Sequence, residues 1–391
     1  MAGAGPAGSA AAGLLARGGH DVLVLEKEHF PRFRIGESLL PACMGVLDRL
    51  GVTPHADTYV YKNGAEFVCE DSGRAHSFAF AEALPGCPAD HAWHVDRARF
   101  DAELLELAVE AGAEARHGET VQSVAFDADG VQVTSTSGVE RARFFLDATG
   151  QTRLLARRNQ SVEHFDEFGL SAAFTHYEDL GDAYEEVFGE KNDIRIMIRK
   201  DGWGWIIPLP HRRLSVGIVS RDKATEEVLE KGLLSGPLMT RLSRGARRTE
   251  TRIAGNYSYA NRSAYGARYA TAGDATSFLD PVFSSGVTLA LRGAEGVADA
   301  LLDGFARGSE ADPDLMVDHA RSMESAYQAF AALIRRFYHT SFAESFFLRG
   351  LPDYELRRGV MSVLAGDVWR DDNPFQQMLL RGRSQRTAVR G

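Results

Sequence analysis

The first third of the chain alternates short apolar runs with stretches in which apolar residues recur at helical spacing. Residues 10–17 have the pattern of a buried helix, and residues 21–26, Asp-Val-Leu-Val-Leu-Glu, are typical of a short buried strand. Helical spacing returns at residues 44–50 and 101–112. Alternating strands and helices of this kind predict an α/β domain built on a parallel sheet.

The middle of the chain has a different pattern. Short β-rich segments at residues 195–199, 202–207 and 214–219 are separated by turn residues, as in an antiparallel sheet. A nucleotide-type segment follows at residues 269–276. Helical spacing is present at residues 287–302 and again from residue 314 to the end of the chain. The predicted fold class is therefore α/β: an interrupted, three-layer Rossmann-like domain with an inserted antiparallel β-sheet domain and a helical C-terminal extension.

We predict boundaries for these parts from the same pattern. The nucleotide-binding domain is discontinuous and comprises residues 1–60, 90–160 and 265–320, the β-sheet substrate domain comprises residues 61–89 and 161–264, and the helical region comprises residues 321–391. Within the chain, residues 59–68 predict a β-hairpin, because Asn63-Gly64 between two apolar runs is a strong turn signal. Three strands are predicted at residues 121–126, 131–136 and 143–146.

The opening residues carry the first candidate site. Gly3, Gly5 and Gly8 form a Gly-x-Gly-x-x-Gly turn before a helix, where backbone N–H groups and the helix dipole favour a pyrophosphate. Glu26 ends a strand about twenty residues later, the position from which a carboxylate holds a ribose hydroxyl. Ala7 in the turn and Lys27 beside the acid complete the predicted dinucleotide contacts at this end of the chain.

A turn of this type normally follows a β-strand, but only Met1 and Ala2 precede Gly3. We therefore expect the first strand of the domain to be missing. A secretion signal is disfavoured, since no basic residue precedes the apolar run.

Composition and charge narrow the classes of partner. The chain has 44 basic residues against 54 acidic ones, a net charge of −10, which disfavours nucleic acid. Cys43, Cys69 and Cys87 are isolated and lack the spacing of metal ligands, so we predict a reducing cytoplasm with neither a disulfide framework nor a metal site. No apolar run approaches the length of a membrane span, which predicts a soluble protein.

Three further motifs stand in the chain. Trp203-Gly-Trp205-Ile-Ile-Pro is a Trp-x-Trp-x-Ile-Pro sequence, residues 278–286 form Phe-x-x-Pro-x-x-Ser-x-Gly, and Lys62 begins Lys-x-Gly-Ala-x-Phe. Together with the glycine turn and Gly-Asp-Ala at residues 273–275, they resemble the motifs of flavin-dependent halogenases. These enzymes, here of the phenol and pyrrole type, are a branch of the FAD-dependent aromatic monooxygenase superfamily.

The resemblance implies FAD as cofactor and assigns it further contacts. Asp274 is expected to hold a ribityl hydroxyl, and residues 30–41, with Arg34 and Ser38, resemble the flavin-contacting loop of the family. Arg97 matches the arginine of an Arg-x-x-Phe-Asp element that reaches FAD. In the family, the loop that contains Pro281 and Gly286 also lies against the flavin.

The remaining motif residues carry the chemistry that the resemblance implies. Halide is expected at Ser284, Ser285 and Gly286, which precede a predicted helix and could bind an anion through N–H groups. Trp203 and Trp205 are expected to keep the organic substrate away from the flavin. Lys62 is expected to hold hypochlorous acid, by hydrogen bond or as a chloramine, and to halogenate an electron-rich ring.

The family comparison also implies partners. A single dinucleotide fingerprint predicts that a separate flavin reductase supplies FADH2. The substrate is expected to be a phenol or pyrrole, free or tethered to an acyl or peptidyl carrier protein, in secondary metabolism such as antibiotic biosynthesis. No catalytic base can be assigned from the motifs.

Three other functions remain open at this point. An FAD-dependent aromatic hydroxylase would consume NAD(P)H by itself and form product without halide. A flavin-dependent reductase of isoprenoid double bonds would need no oxygen. A catalytically silent flavoprotein could use its basic C-terminal region to bind an acidic partner.

Overall fold

The computed structural model describes residues 1–69, 72–165, 171–255, 258–338, 347–348 and 353–387, with side chains described to residue 381. The α-helices in this part of the chain are α1 (Pro6–Arg17), α2 (Met44–Leu50), α3 (Arg97–Glu110), α4 (Leu154–Arg158), α5 (Ala183–Phe188), α6 (Glu226–Leu229), α7 (Pro237–Leu242), α8 (Ser285–Arg307), α9 (Val317–Phe337), α10 (Tyr354–Leu364) and α11 (Pro374–Thr387).

The strands are numbered in chain order. They are β1 (Leu23–Glu26), β2 (Tyr59–Lys62), β3 (Gly64–Cys69), β4 (Arg74–Ala79), β5 (Ala92–Val95), β6 (Glu114–His117), β7 (Val121–Phe126), β8 (Val131–Ser135), β9 (Gly138–Ala142), β10 (Phe145–Asp147), β11 (Val162–His164), β12 (Ser171–Glu178), β13 (Ile194–Ile198), β14 (Gly202–Leu209), β15 (Arg213–Ser220), β16 (Arg247–Arg248), β17 (Arg252–Gly255), β18 (Tyr259–Asn261), β19 (Tyr265–Gly266), β20 (Tyr269–Thr271) and β21 (Ser277–Phe278).

A parallel sheet forms the first domain. Strand β1 pairs with β6, and β10 pairs with β20, whose other edge carries the antiparallel β19. Helices α1, α3 and α8 pack together on one face of the sheet, and the antiparallel meander β7–β9 covers the other. Val124 and Val133 of the meander join Leu25 and Phe145 of the sheet in one buried cluster. The predicted three-layer Rossmann-like domain is confirmed.

The centre of this sheet corrects one expectation. Ala2 pairs in parallel with both Leu25 and Asp147, so Met1–Gly3 lies between β1 and β10. The Ala2 N–H donates to the Leu146 carbonyl at 3.0 Å, and the Gly3 N–H donates to the Leu25 carbonyl at 2.9 Å. A regular strand before the glycine turn is not formed by residues 1–3. These residues nevertheless lie where the end of the first strand is expected, because they hydrogen-bond to the backbones of β1 and β10 on either side.

The second sheet is larger and mostly antiparallel. Its strand order is β16–β12–β15–β14–β13–β3–β4, with β17 also pairing with β12 and with β13 and β3 parallel. Ile206, Val216 and Ile218 face a core closed by helices α6 and α7 and the π-helical turn Glu230–Leu234, whereas Trp203 and Trp205 face the core shared with the first domain. The predicted strands of the inserted sheet domain are confirmed, and their alternation positions the tryptophans.

The predicted hairpin at residues 59–68 is wrong. Strand β2 pairs with β5, and β3 pairs with β4 and β13, so the two strands belong to different sheets. A β-carbon on Gly64 would lie 1.8 Å from the Phe78 carbonyl oxygen. The glycine is therefore required for close approach to β4. The Asn63 N–H donates to the Lys191 carbonyl and does not close a turn.

The C-terminal helices pack on the first domain and on each other. Helix α9 packs against α8, and α11 packs against α9 and α10. Within the described ranges, every helix is too short or too polar to cross a membrane.

Candidate functional site

The glycine turn at the N-terminus of α1 leaves space for a ligand at one position. Gly3 has φ of +93°, and a β-carbon on Gly8 would lie 1.9 Å from the Gly3 carbonyl oxygen, so these two glycines are required by the fold. Gly5, by contrast, precedes the helix in an extended conformation, and a β-carbon there would come no nearer than 3.6 Å to a described atom, on Arg32. The free N–H groups at this helix start fit a pyrophosphate.

Glu26 lies beside this turn at the end of β1. One carboxylate oxygen accepts the Ala4 N–H at 2.7 Å and the other accepts the Glu28 N–H at 2.9 Å. These bonds aim the carboxylate from the strand end towards the glycine turn, as a ribose contact requires. The side chain of Lys27 lies at the surface, 3.4 Å from the Thr152 hydroxyl. Ala7 is buried in the first turn of α1.

The flavin loop, residues 30–41, is held to α3 by Arg97. The buried guanidinium pairs with Asp101 at 2.8 Å and donates to the Ile35 carbonyl at 2.6 Å. Gly36 has φ of +100°, and a β-carbon there would lie 2.8 Å from Arg97 Nη1. This contact explains the glycine and places Arg97 against the loop. Arg34 points outward and forms an ion pair with Glu28.

Buried polar groups of the same loop indicate a site for a polar ligand. Ser38 is buried, and its hydroxyl has no hydrogen-bond partner among the described residues. Glu37 Oε1 lies 2.5 Å from His176 Nε2 of β12, a contact between the loop and the large sheet that sequence patterns did not reveal. An unpartnered buried hydroxyl is costly unless a ligand or water satisfies it.

The second nucleotide motif adjoins the first. Gly273 has φ of +62°, and a β-carbon there would lie 3.2 Å from both Ala7 and Ala290, so the turn fits where α1 and α8 meet. Asp274 follows in that turn. Burial raises the pKa of its carboxyl to about 6, against the opposing effect of Arg97. The fold therefore brings Asp274, Arg97 and the glycine turn to one region.

The predicted halide residues, Ser284–Gly286, lie where the turn that begins at Pro281 meets the start of α8. Pro281–Phe283 forms a 3₁₀ turn, Ser284 has φ of +56°, and the helix begins at Ser285. No described atom would lie within 4 Å of a β-carbon on Gly286, so space is open beside the helix N-terminus. A β-carbon on Gly36 would lie 3.6 Å from Val287, which shows that the flavin loop reaches the same helix start.

Lys62 is buried. Its amine donates to the Leu39 carbonyl at 2.8 Å and lies 5.0 Å from the centre of the Phe80 ring. Burial lowers the pKa of the amine to about 7, although Asp193 and Cys43 act in the opposite direction. The amine is therefore dehydrated and is not a solvated surface charge.

Trp203 and Trp205 lie side by side on one face of β14. Their ring centres are 5.6 Å apart, and both rings are buried. Trp205 donates from Nε1 to the Ser215 hydroxyl at 3.1 Å, and a β-carbon on Gly217 would lie 2.3 Å from its ring. Strand β14 packs against β2 and β5, so the tryptophans and Lys62 belong to neighbouring strands.

One feature of this region lay beyond any sequence motif. Trp203 donates from Nε1 to the Tyr338 hydroxyl at 3.0 Å, and that hydroxyl donates to Asp280 Oδ2 at 2.7 Å. Asp280 lies within the Phe-x-x-Pro motif, although the motif itself is defined by its neighbours. Tyr338 follows α9 and belongs to none of the motifs found in the sequence.

Comparison with known proteins identifies the family of this chain. A family model described as tryptophan halogenase matches residues 1–93 and 83–364. The flavin-dependent halogenase armH3 of Armillaria mellea is 29% identical over 371 residues, which cover 86% of this chain and 73% of that protein. The 1H-pyrrole-2-carbonyl-[peptidyl-carrier protein] chlorinase of Pseudomonas fluorescens is 28% identical, over 94% of this chain and 88% of that enzyme.

A solved structure has a similar fold. The crystal structure of a flavoprotein/dehydrogenase from Cytophaga hutchinsonii is 29% identical, with a TM-score of 0.86 over 97% of this chain and 95% of that one. Since the family model covers most of its length, the chain belongs to the tryptophan halogenase family and is a flavin-dependent halogenase that uses FAD.

Proposed function

We propose that the protein uses FADH2, O2 and chloride to halogenate an electron-rich aromatic ring, a phenol or a pyrrole, in secondary metabolism. The observation that carries this proposal is the buried amine of Lys62, tied to the flavin loop through the Leu39 carbonyl. When bound, reduced FAD would supply, together with O2 and chloride, the hypochlorous acid that halogenates the substrate.

Each group of residues has a separate task in this mechanism. Gly5, Glu26, Arg97 and Asp274 would hold FAD, and the N–H groups at Ser284–Gly286 would hold chloride by the anion preference of a helix start. The paired rings of Trp203 and Trp205 would exclude the organic substrate from the flavin side.

Lys62 would then control the oxidant. As an ammonium, it can donate a hydrogen bond to hypochlorous acid, and as a neutral amine it can be chlorinated. A pKa of about 7 allows both forms near neutral pH. Chlorine is then transferred from the oxygen of hypochlorous acid, or from the chlorinated amine, to a ring carbon of the substrate. That carbon loses its proton, and the oxygen of hypochlorous acid leaves as water.

The substrate class follows from chemistry and similarity together. Phenols and pyrroles are activated by their own lone pairs and need little help from a base, and no base is assigned here. The similarity to a chlorinase acting on a carrier-bound pyrrole supports a pyrrole, free or on a carrier protein. A separate flavin reductase would supply FADH2, because the chain has one dinucleotide fingerprint.

The test supplies FADH2, O2 and chloride with a set of phenols and pyrroles, each free or loaded on a carrier protein. We expect a product with the added mass and isotope pattern of chlorine, which is lost when chloride is omitted. An oxygenated product that forms without halide, with NAD(P)H consumed by the protein alone, would instead identify an aromatic hydroxylase.

A further inference from the structure

Three segments far apart in the chain meet through a continuous set of hydrogen bonds. The indole N–H of Trp203 donates to the hydroxyl of Tyr338 at 3.0 Å, and this hydroxyl donates to Asp280 Oδ2 at 2.7 Å. The other oxygen of Asp280 accepts the Val282 N–H at 3.0 Å. The bonds run from β14, through the residue that follows α9, to the 3₁₀ turn before α8.

The two ends of this network are buried, and Tyr338 between them is half-buried. The Asp280 side chain is 0% exposed and Trp203 is 2% exposed. Burial raises the pKa of Asp280 to about 6, while Tyr338, the Val282 N–H and, more weakly, Trp203 act in the opposite direction. Removing one donor from a buried carboxylate weakens its hydrogen bonding, and the turn that the carboxylate holds in place is then held less firmly.

The group that Asp280 holds is the turn that leads to the halide residues. Its side chain caps Pro281–Phe283, and Ser284 follows with φ of +56° before α8 begins. The ring of Phe283 also packs edge-on against Phe337, at 5.6 Å between ring centres. The end of α9 therefore contacts this turn through the Phe337 ring and its capping residue through the Tyr338 hydroxyl.

We propose that Tyr338 is a positioning residue for halogenation. Its hydroxyl connects Trp203 on β14 to the turn that precedes Ser284–Gly286. We expect this connection to set the affinity for chloride and the fraction of flavin turnover that yields halogenated product. This inference rests on the proposed function, because it takes the start of α8 as the halide site.

The discriminating variant is Tyr338→Phe, which removes the hydroxyl and keeps the ring. We expect the KM for chloride to rise about tenfold, the size of one lost hydrogen bond to a charged group, with a smaller change in the kcat of FADH2 oxidation. The yield of halogenated product per flavin oxidised should fall. A tyrosine that only filled space would leave the chloride dependence unchanged.

The matched control is Tyr184→Phe. Tyr184 is also buried, and its hydroxyl donates to the Leu209 carbonyl at the other end of β14, at 3.1 Å. The loss of this bond should affect stability but leave the KM for chloride at its original value.

A measurement without turnover completes the test. The chain has four tryptophans, so its indole N–H groups give a small set of NMR signals that can be assigned by substitution. Chloride added to the protein without flavin should shift the Trp203 signal in the original protein and shift it less in Tyr338→Phe.

The outcomes separate the two proposals. If the original protein responds to chloride but halogenates no acceptor, the proposed function fails. If Tyr338→Phe keeps the chloride KM, the product yield per flavin oxidised and the NMR response of the original protein, the role given to Tyr338 is wrong.

Discussion

The amine of Lys62 donates a hydrogen bond to the backbone carbonyl of Leu39, with 2.8 Å between nitrogen and oxygen. Leu39 belongs to the flavin loop, and Lys62 ends a strand that pairs with β5. A lysine in a solvated turn would have a mobile side chain, whereas this bond and the enclosing core fix the amine beside the loop. The predictions about Lys62 follow from that fixed and dehydrated position.

Replacement of Lys62 by methionine should abolish halogenation and spare flavin oxidation. Methionine preserves the length and apolar stem of the side chain but cannot hold or accept chlorine through nitrogen. We expect at least about a hundredfold loss of halogenated product, the usual contribution of one positioned acid or base, with FADH2 consumption retained. Mass spectrometry of the acceptor and oxygen uptake, measured together, check this.

The control for that variant is Lys231→Met. Lys231 is exposed and pairs only with Glu227 at the surface, of the residues described, so its loss should change neither product nor oxygen uptake. Full halogenation by Lys62→Met would remove the amine from the mechanism.

The same substitution should change how stability depends on pH. The pKa of Lys62 falls from 10.5 to about 7 on folding, because burial disfavours the charged form. Between these values the unfolded chain binds the additional proton, so the native protein gains stability as pH rises from about 7 towards 10.5, by up to about 1.4 kcal/mol per pH unit. Below pH 7 the full cost of the buried ammonium remains.

Urea unfolding of the original protein and of Lys62→Met at several pH values isolates this contribution, since other titrating groups cancel. We expect Lys62→Met to be the more stable of the two at pH 7 and its advantage to shrink at pH 9. A difference between the two proteins that does not vary with pH would mean that the native amine is not dehydrated.

Alanine at Gly5 should separate flavin binding from folding. A β-carbon there would meet its nearest described neighbour at 3.6 Å, so stability should change by no more than about 1 kcal/mol. The same methyl group would enter the space assigned to the pyrophosphate, and FAD affinity should fall at least about tenfold, the scale of a single steric conflict. Fluorescence titration of FAD and thermal unfolding measure the two effects.

Alanine variants of two other glycines are the controls for Gly5→Ala. Gly45→Ala, with no described atom within 4 Å of the new carbon, should leave FAD affinity unchanged. Gly8→Ala places its carbon 1.9 Å from a backbone oxygen and should destabilise the fold itself by several kcal/mol, or about 1–3 kcal/mol if the turn relaxes. Normal FAD affinity in Gly5→Ala would mean that the pyrophosphate does not bind at this helix start.

Gly217→Ala should disturb the tryptophan pair from the neighbouring strand. The new carbon would lie 2.3 Å from the Trp205 ring and 2.7 Å from the Phe174 β-carbon, so the ring must turn. We expect a loss of about 1–3 kcal/mol of stability and a lower yield of halogenated product per flavin oxidised. Unfolding curves and product ratios test this, and Gly181→Ala, an open position, is the control.

Local sequence was sufficient for the elements whose signals are short-range. The glycine turn, Glu26 at a strand end and the strands around Trp203 were predicted because steric and periodic constraints act within a few residues. The hairpin at Asn63-Gly64 failed for the opposite reason. Gly64 is required because the backbone of Phe78, distant in the sequence, lies against it, and no local pattern distinguishes this steric requirement from that of a turn.

By itself, the sequence determined the class of the fold, the flavin chemistry and the residue types available for it, because those depend on motifs of contiguous residues. Only the tertiary structure decided that Lys62 is dehydrated, that Glu37 meets His176, and that Tyr338 joins Trp203 to Asp280. These relationships join residues more than fifty positions apart or depend on burial. Burial and long-range hydrogen bonds arise only when the two sheets and the C-terminal helices pack together.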